Sequence, residues 1–260
     1  MMSGFLFNDV IFGPVRSRRL GLSLGVNLLP LHSKYCSFNC IYCECGWTPP
    51  VPATHPEFPT RREVREYLEQ QLMQLVADEH FPDAITYAGN GEPTLHPEFA
   101  GIVDDTLALR DQYVPAAKVT VLSNATRIND PAVFAALKKL DNNILKLDAG
   151  SAELFNLINN PVEPVDFMEL IDQLKRFGGD LIIQSMFLRG NFKGQVVDNT
   201  AAGEVDEWIE HLIAINPKLV MIYPIARATP LHNLEKIALT ELDLIADKVR
   251  HAGLKVQVYQ

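Results

Sequence analysis

Residues 26–47 read VNLLPLHSKYCSFNCIYCECGW, a short apolar run followed by every cysteine in the chain. Cys36, Cys40, Cys43 and Cys45 lie within ten residues, and none occurs elsewhere in the 260. The run VNLLP (26–30) predicts a strand that delivers the chain to the thiols. The spacing is C-x3-C-x2-C, extended by one C-x-C. Structural zinc takes four ligands, usually as two pairs a dozen or more residues apart. No second pair exists here, and a histidine such as His32 would have to complete the set. Thiol redox chemistry at Cys40 and Cys43 would leave Cys36 without a role. An iron-sulfur cubane accounts for all three, because a short loop can wrap three corners of the cube. The fourth iron is then open to an outside molecule, as catalysis requires. Cys45 would have to reach an adjacent iron with almost no slack, so it is expected outside the ligand set. Were it a fourth ligand, the protein would be an electron carrier.

Working outward, short apolar runs alternate with helical patterns. AITYAG (84–89), KVTVLSN (118–124), NILKLDAG (143–150), LIIQSMFL (181–188), KLVMIYPI (218–225) and KVQVY near the C-terminus predict strands. Between them, helices are expected near 60–78, from Pro97, and over 130–140, 151–159, 166–177, 201–215 and 241–252. Thr60 and Glu63 have the spacing of a capping box, with Val64, Leu68, Leu72 and Leu75 on one face. Phe99, Ile102, Val103 and Leu107 are expected to face inward on the next helix. About six βα units imply a parallel sheet covered by helices. The pattern alone leaves open whether that sheet is doubly wound, a full barrel or a partial one. In each case the loops after the strands build the site.

Composition agrees with a globular protein with a sizeable core. Hydrophobic residues are 47% and charged residues 21%, and no apolar run suggests a membrane span. The N-terminus lacks the pattern of a secretory signal, so a cytoplasmic location is expected, where clustered thiols point to metal rather than disulfides. Net charge is −9, which disfavours nucleic-acid binding. Residues 1–35 are nevertheless +3, through Arg16, Arg18, Arg19 and Lys34 against Asp9. That patch can hold an anionic ligand, dock an acidic redox partner, or be no more than solvated arginines.

CSFNCIYC resembles the CxxxCxxC motif of the radical S-adenosylmethionine (radical SAM) enzymes, with an aromatic, Tyr42, before the last ligand. FGPVRSRRLGLSLGVNLLP before it and GNGEPTLHPEF after it are similar to one subgroup, which contains stand-alone core proteins and the tRNA-modifying enzyme 4-demethylwyosine synthase. The resemblance spans nearly the whole chain. It implies an α/β fold, a parallel (β/α)6 partial TIM-type barrel, in a single domain over 1–260. Residues 1–35 would form an N-terminal extension and first strand, and 36–46 the cluster loop. The implied cofactors are a 4Fe-4S cluster on Cys36, Cys40 and Cys43, and S-adenosyl-L-methionine on the open iron. The implied reaction is reductive cleavage to a 5′-deoxyadenosyl radical, which takes hydrogen from a substrate.

By the same resemblance, Gly89, Asn90, Gly91 and Glu92 receive the methionine ammonium, through carbonyls and a carboxylate. Ser123 and Asn124 reach the ribose or the methionine carboxylate, unless Asn124 only forms a turn. Lys146 and Asp148 are i, i+2 on one strand and share a face with Ile144, while Leu145 and Leu147 face the helices. They suit a carboxylate and a ribose hydroxyl, or pair with each other. Gln184 is a weaker candidate of the same kind, and Tyr42 is expected near adenine. On the substrate side stand Ser17, Arg18, Arg19, Tyr223 and Arg227, arginine favouring phosphate or carboxylate. No catalytic residue is identified. An external one-electron reductant such as flavodoxin or ferredoxin is implied, with a small-molecule or peptide or protein substrate. Activation of a glycyl-radical partner is the alternative within enzymes. The absence of cysteines outside 36–45 counts against a two-cluster route to tRNA.

Overall fold

A hairpin precedes the expected alternation. β1 (Ile11–Ser17) runs antiparallel to β2 (Gly21–Val26). In the turn between them Ser17 Oγ accepts from the N–H groups of Arg19 and Leu20. The strand expected at 26–30 therefore lies earlier. Residues beyond Val26 leave the sheet because Asn27 folds back on Leu29, with Oδ1 accepting its N–H and Nδ2 donating to its carbonyl, both at 3.3 Å. Pro30 has no N–H to offer a ladder. This computed structural model describes residues 4–49 and 56–260; residues 1–3 and 50–55 of the expected domain lie outside the described residues.

From β2 onward, strands alternate with helices in the order α1 (Arg61–Ala77), β3 (Ala84–Tyr87), α2 (Phe99–Tyr113), β4 (Lys118–Ser123), α3 (Pro131–Leu137), β5 (Asn142–Lys146), α4 (Ala152–Asn159), α5 (Phe167–Lys175), β6 (Ile182–Phe192), β7 (Gln195–Asp198), α6 (Ala202–Ile215), β8 (Leu219–Pro224), β9 (Glu235–Lys236), α7 (Leu239–His251) and β10 (Val256–Val258). The capping box of Thr60 and Glu63 is present, and Val64, Leu68, Leu72 and Leu75 are buried. The second helix begins at Phe99 rather than Pro97. A short 3-10 turn, Pro93–Leu95, comes first, and His96 Nδ1 then accepts from Glu98 N–H at 3.0 Å, holding the entry extended. Phe99, Ile102 and Val103 are buried; Leu107 is half-buried, and Leu109 fills the core at that end of the helix.

The strand order is β1-β2-β3-β4-β5-β6-β8-β10, and every neighbouring pair after the first is parallel. Six βα units, on β2, β3, β4, β5, β6 and β8, form the partial barrel, with β10 a further parallel edge strand. β7 and β9 pair only with the outer half of β6. β1 and β10 are the two edges and are not paired with each other, so the sheet curls without closing.

Alternation along the strands divides the faces. Leu24, Ile85, Val119, Val121, Leu145, Ile183, Val220 and Ile222 pack with the helices in one continuous core. On the opposite, concave face Ile144, Ile182 and Met221 form a separate small cluster with Leu20, Leu122, Leu219 and Tyr259. This cluster lies at the starts of β6 and β8, the base of the barrel. Leu20 from the hairpin and Tyr259 beyond β10 both pack against it. The concave wall also carries polar pairs: Ser23 and Thr86 share a hydrogen bond at 2.7 Å, and Asn142 Nδ2 donates to Thr120 Oγ1 at 3.1 Å.

Candidate functional site

The cysteine loop follows β2 and is held on two sides by backbone. On one, Tyr35 N–H donates to Asn90 O at 2.8 Å and Glu92 N–H to Tyr35 O at 3.1 Å. On the other, Asn39 N–H donates to Asn159 O and Ile41 N–H to Ile158 O, each at 3.0 Å, at the end of α4. Between the cysteines, Phe38 and Ile41 enter the helix-side core, 1% and 0% exposed. These apolar pegs fix the loop.

Donors surround the sulfurs. Phe38 N–H points at Cys36 Sγ at 3.4 Å, Asn124 Nδ2 at the same atom at 3.6 Å, and Lys146 Nζ at Cys40 Sγ at 3.3 Å. Lys34 is buried with them, its Nζ donating to Gly46 O at 2.9 Å. Burial pushes the Cys36 thiol up to about 12 against the pull of Lys34, and burial likewise raises Cys40 against Lys146. Cys43 is lowered to about 5, first by the hydrogen bond from Cys45, whose own pKa rises through the same bond. Burial works against the charge on Lys34, yet the negative charge of Cys43, Cys36 and Cys40 holds its pKa above the ordinary value. Metal binding strips protons from thiols, and the two buried ammonium groups are placed to offset the thiolate charge that results. Among the described residues, no three His, Cys, Asp or Glu side chains gather around one point, as ligands of a single zinc ion would. The donor set fits a larger cluster gripped at separate corners. Cys45 Sγ donates to Gly89 O at 3.4 Å.

Interior positions of β5 carry the second part of the site. Ile144 faces the concave side and Leu145 and Leu147 the helix-side core. Lys146 Nζ and Asp148 Oδ2 are 3.3 Å apart. Tyr42 Oη donates to Asp148 and accepts from Lys146, whose Nζ lies 4.5 Å from the centre of the Tyr42 ring. Met186 N–H donates to Asp148 Oδ1 at 2.9 Å. Burial disfavours the Lys146 charge, but Asp148 and the Cys40 sulfur outweigh it and raise its pKa well above the usual value. Burial and Asp148 together keep the Tyr42 phenol protonated.

The Gly-Asn-Gly-Glu segment is mostly committed to the protein itself. Asn90 Oδ1 accepts from Phe7 N–H at 2.8 Å, and its Nδ2 donates to the carbonyls of Phe7 and Pro30, both at 2.9 Å. Asn90 thus straps residues near the N-terminus to the site, and its side chain has no free donor or acceptor of consequence. Glu92 is buried and accepts four bonds: from Thr94 N–H and Oγ1, from Ser123 Oγ at 2.8 Å and from Asn124 N–H at 2.6 Å. Burial raises its pKa, and these donors oppose that. A carboxylate has about four acceptor positions, so Glu92 joins the ends of β3 and β4. Gly89 and Gly91 keep conformations that disfavour side chains, φ +151° and +146°.

Gln184 faces the interior of β6 in register with Lys146. Arg19 Nη1 donates to its Oε1 at 2.8 Å, and Tyr223 Oη is 3.5 Å from the same atom. Arg18 is exposed on the hairpin turn, and Ser17 only shapes that turn. Arg227 stands at the rim, 2.6 Å from Glu44 of the cysteine loop, over a cavity of about 830 Å³ that Cys43 and Phe5 also line. Three-dimensional proximity thus unites Cys36, Cys40, Tyr42, Lys146, Asp148 and Asn124, with Gln184, Tyr223 and Arg19 beside them; Arg227 stands at the rim near Cys43, and Arg18 is apart. Lys34, Asn159, whose Oδ1 lies 3.6 Å from Cys40 Sγ, and Asn199, whose Nδ2 donates to Asp148 O at 2.8 Å, were not anticipated. A lysine two positions before a thiolate cluster was a readable signal for the first; the asparagines act through folds of the chain that no local pattern reveals.

Residues 31–199 match the family model described as Radical SAM superfamily. A UPF0026 protein of Helicobacter pylori is 30% identical over 185 residues, 70% of this chain and 57% of that protein. The UPF0026 protein slr1464 of Synechocystis is 30% identical over 227 residues, 85% of this chain and 77% of that one. The chain therefore spans little more than half the length of the first relative. Among solved structures, a radical SAM methyltransferase from Sphaerobacter thermophilus superposes with a TM-score of 0.65 at 14% identity, over 91% of this chain and 65% of that one. Archaeal TYW1 gives 0.55 at 11% identity, over 93% and 75%. At these identities the likeness is one of fold.

Proposed function

The chain belongs to the radical SAM superfamily and to the UPF0026 family, and on that premise we propose that it is an enzyme of 4Fe-4S and S-adenosyl-L-methionine radical chemistry that uses one cluster to abstract hydrogen from a substrate held in the barrel. When bound, the cluster and S-adenosyl-L-methionine supply the 5′-deoxyadenosyl radical. The observation that carries the proposal is the convergence of the cysteine loop with Tyr42, Lys146 and Asp148 on the concave side of the barrel.

In this reading Cys36, Cys40 and Cys43 hold the cluster. Lys34 and Lys146 offset its negative charge, and Asn124 and the Phe38 N–H donate to sulfur. With cofactor bound, Lys146 would hold a carboxylate and Asp148 ribose hydroxyls. Their present pairing keeps both buried charges compensated until then. The Gly89–Gly91 turn would receive the methionine ammonium, and Glu92, with Ser123, holds that turn against β4. Tyr42 lines the adenine side. The helix-side core and the small apolar cluster of Ile144, Ile182 and Met221 help close the chamber against water, which a reactive radical requires. The whole chain works as one domain, consistent with its continuous helix-side core. The electron comes from a separate flavodoxin or ferredoxin, and the substrate is a small molecule or a peptide. Among the described residues no helix is long and apolar enough to cross a membrane.

The test is anaerobic. Cluster-loaded protein with reductant should release 5′-deoxyadenosine from S-adenosyl-L-methionine. Cys40→Ala should abolish the cluster, whereas Cys45→Ala should keep most of the iron and the cleavage. Loss of the cluster in Cys45→Ala, with no cleavage by loaded wild-type protein, would make the chain an electron carrier instead.

A further inference from the structure

Among the described residues, Arg19 is the charged group in the chamber that the mechanism leaves unused. It starts at the base, on the turn before β2, and its guanidinium reaches interior residues of β6 and β8. Its Nη1 donates to Gln184 Oε1 at 2.8 Å, and its Cζ lies 4.6 Å from the centre of the Tyr223 ring. Gln184 and Tyr223 are buried, 6% and 9% exposed. The other deep-set arginines are neutralised: Arg110 by Asp141 at 2.7 Å, and Arg189 by Asp198 and Glu241. Lys146, one strand away, has Asp148. Among the described residues no carboxylate lies within ion-pair distance of Arg19.

A guanidinium carries five N–H donors in a planar fork, and among the described residues only one side-chain donor of Arg19 has an acceptor. The wall beside it supplies neutral groups, the Gln184 amide and the Tyr223 phenol. A half-buried, unneutralised fork with phenol and amide neighbours is a receptor for an oxyanion. A purely structural arginine closing the open edge would gain more from a carboxylate there, and none is supplied.

We propose that Arg19 binds an oxyanion, carboxylate or phosphate, carried by the substrate. Gln184 orients the guanidinium and Tyr223 stacks beneath it. This rests on the concave side being the reaction chamber, and it narrows the substrate to an anionic molecule whose charged end lies against Gln184 and Tyr223, one strand from Lys146.

The experiment is calorimetry on cluster-loaded protein saturated with S-adenosyl-L-methionine, titrated separately with pyrophosphate and with glutarate. Saturable binding of one probe is expected, and which one separates phosphate from carboxylate. Arg19→Gln should weaken it by about tenfold or more, Arg19→Lys less, and Arg62→Gln, far from the chamber, not at all. Near-ultraviolet circular dichroism checks that each variant is folded. Absence of saturable binding by both probes, or equal affinity in folded Arg19→Gln, overturns the proposal. Because binding is read without turnover, failure to cleave S-adenosyl-L-methionine would instead remove the preceding reading and is scored separately.

Discussion

Gly91 shows how much one residue decides. Its φ is +146°, and a Cβ there would lie 1.9 Å from the Tyr35 carbonyl oxygen. That carbonyl is the acceptor through which the cysteine loop is fastened to the turn after β3. Gly91→Ala must either break the fastening or move the loop. Expected is a stability loss of about 2–4 kcal/mol by urea unfolding and a fall in iron bound per chain. Gly178→Ala is the comparison, since Gly178 also has a positive φ, +59°, but nothing within 4 Å. It should cost only about 1 kcal/mol, for the left-handed backbone alone, with iron unchanged. Equal losses in the two variants would show that the close approach at Gly91 has no special weight. Asn90 beside it is an instance of a motif residue acting by position: its side chain is spent on Phe7 and Pro30.

Among elements, the joint between α1 and α2 is the one that couples the site to the helix layer. His96 is buried there. Its Nε2–H donates to Pro59 O at 2.8 Å, just before the Thr60 cap of α1, while Nδ1 accepts from Glu98 at the start of α2. Both ring nitrogens are used in the neutral form. Burial is the main cause that lowers its pKa below the usual 6.5, and the Pro59 carbonyl opposes it. The unfolded chain therefore takes up this proton at a higher pH than the folded one. The contribution is complete above about pH 6.5 and is lost as pH falls toward the lower folded value, at no more than about 1.4 kcal/mol per pH unit. His96→Gln should be less stable at pH 7.5, with a shallower decline between pH 7.5 and 5.5. An unchanged slope in urea-unfolding measurements would assign the acid sensitivity elsewhere.

At the scale of the whole molecule, stability and chemistry occupy opposite faces of one curled sheet. Leu145 is fully buried among the helices, while Leu122 belongs to the small cluster at the barrel base and is half-buried. Leu145→Ala should cost about 2–5 kcal/mol, and Leu122→Ala clearly less; the reverse order would place the main core inside the barrel. This division was largely legible in advance. Apolar alternation in NILKLDAG already assigned Leu145 and Leu147 to one face and Lys146 and Asp148 to the other, and the six βα units follow from the same periodicity. Thr60 and Glu63 announced the start of α1 through local hydrogen bonds. The hairpin before β2 was missed because its pairing is antiparallel at an edge, and the run VNLLP looked like a strand until Asn27 folded on Leu29. So the sequence by itself determined the alternation, the parallel sheet and the spacing of three thiols, since these depend on neighbours a few residues apart. Only the tertiary structure decided that Glu92 is spent on β4, that Lys146 lies on Cys40, and that Arg19 crosses from the base to Gln184. Those contacts join residues 32, 106 and 165 positions apart, and they arise from the curl of the sheet, which brings the two ends of the chain to one chamber.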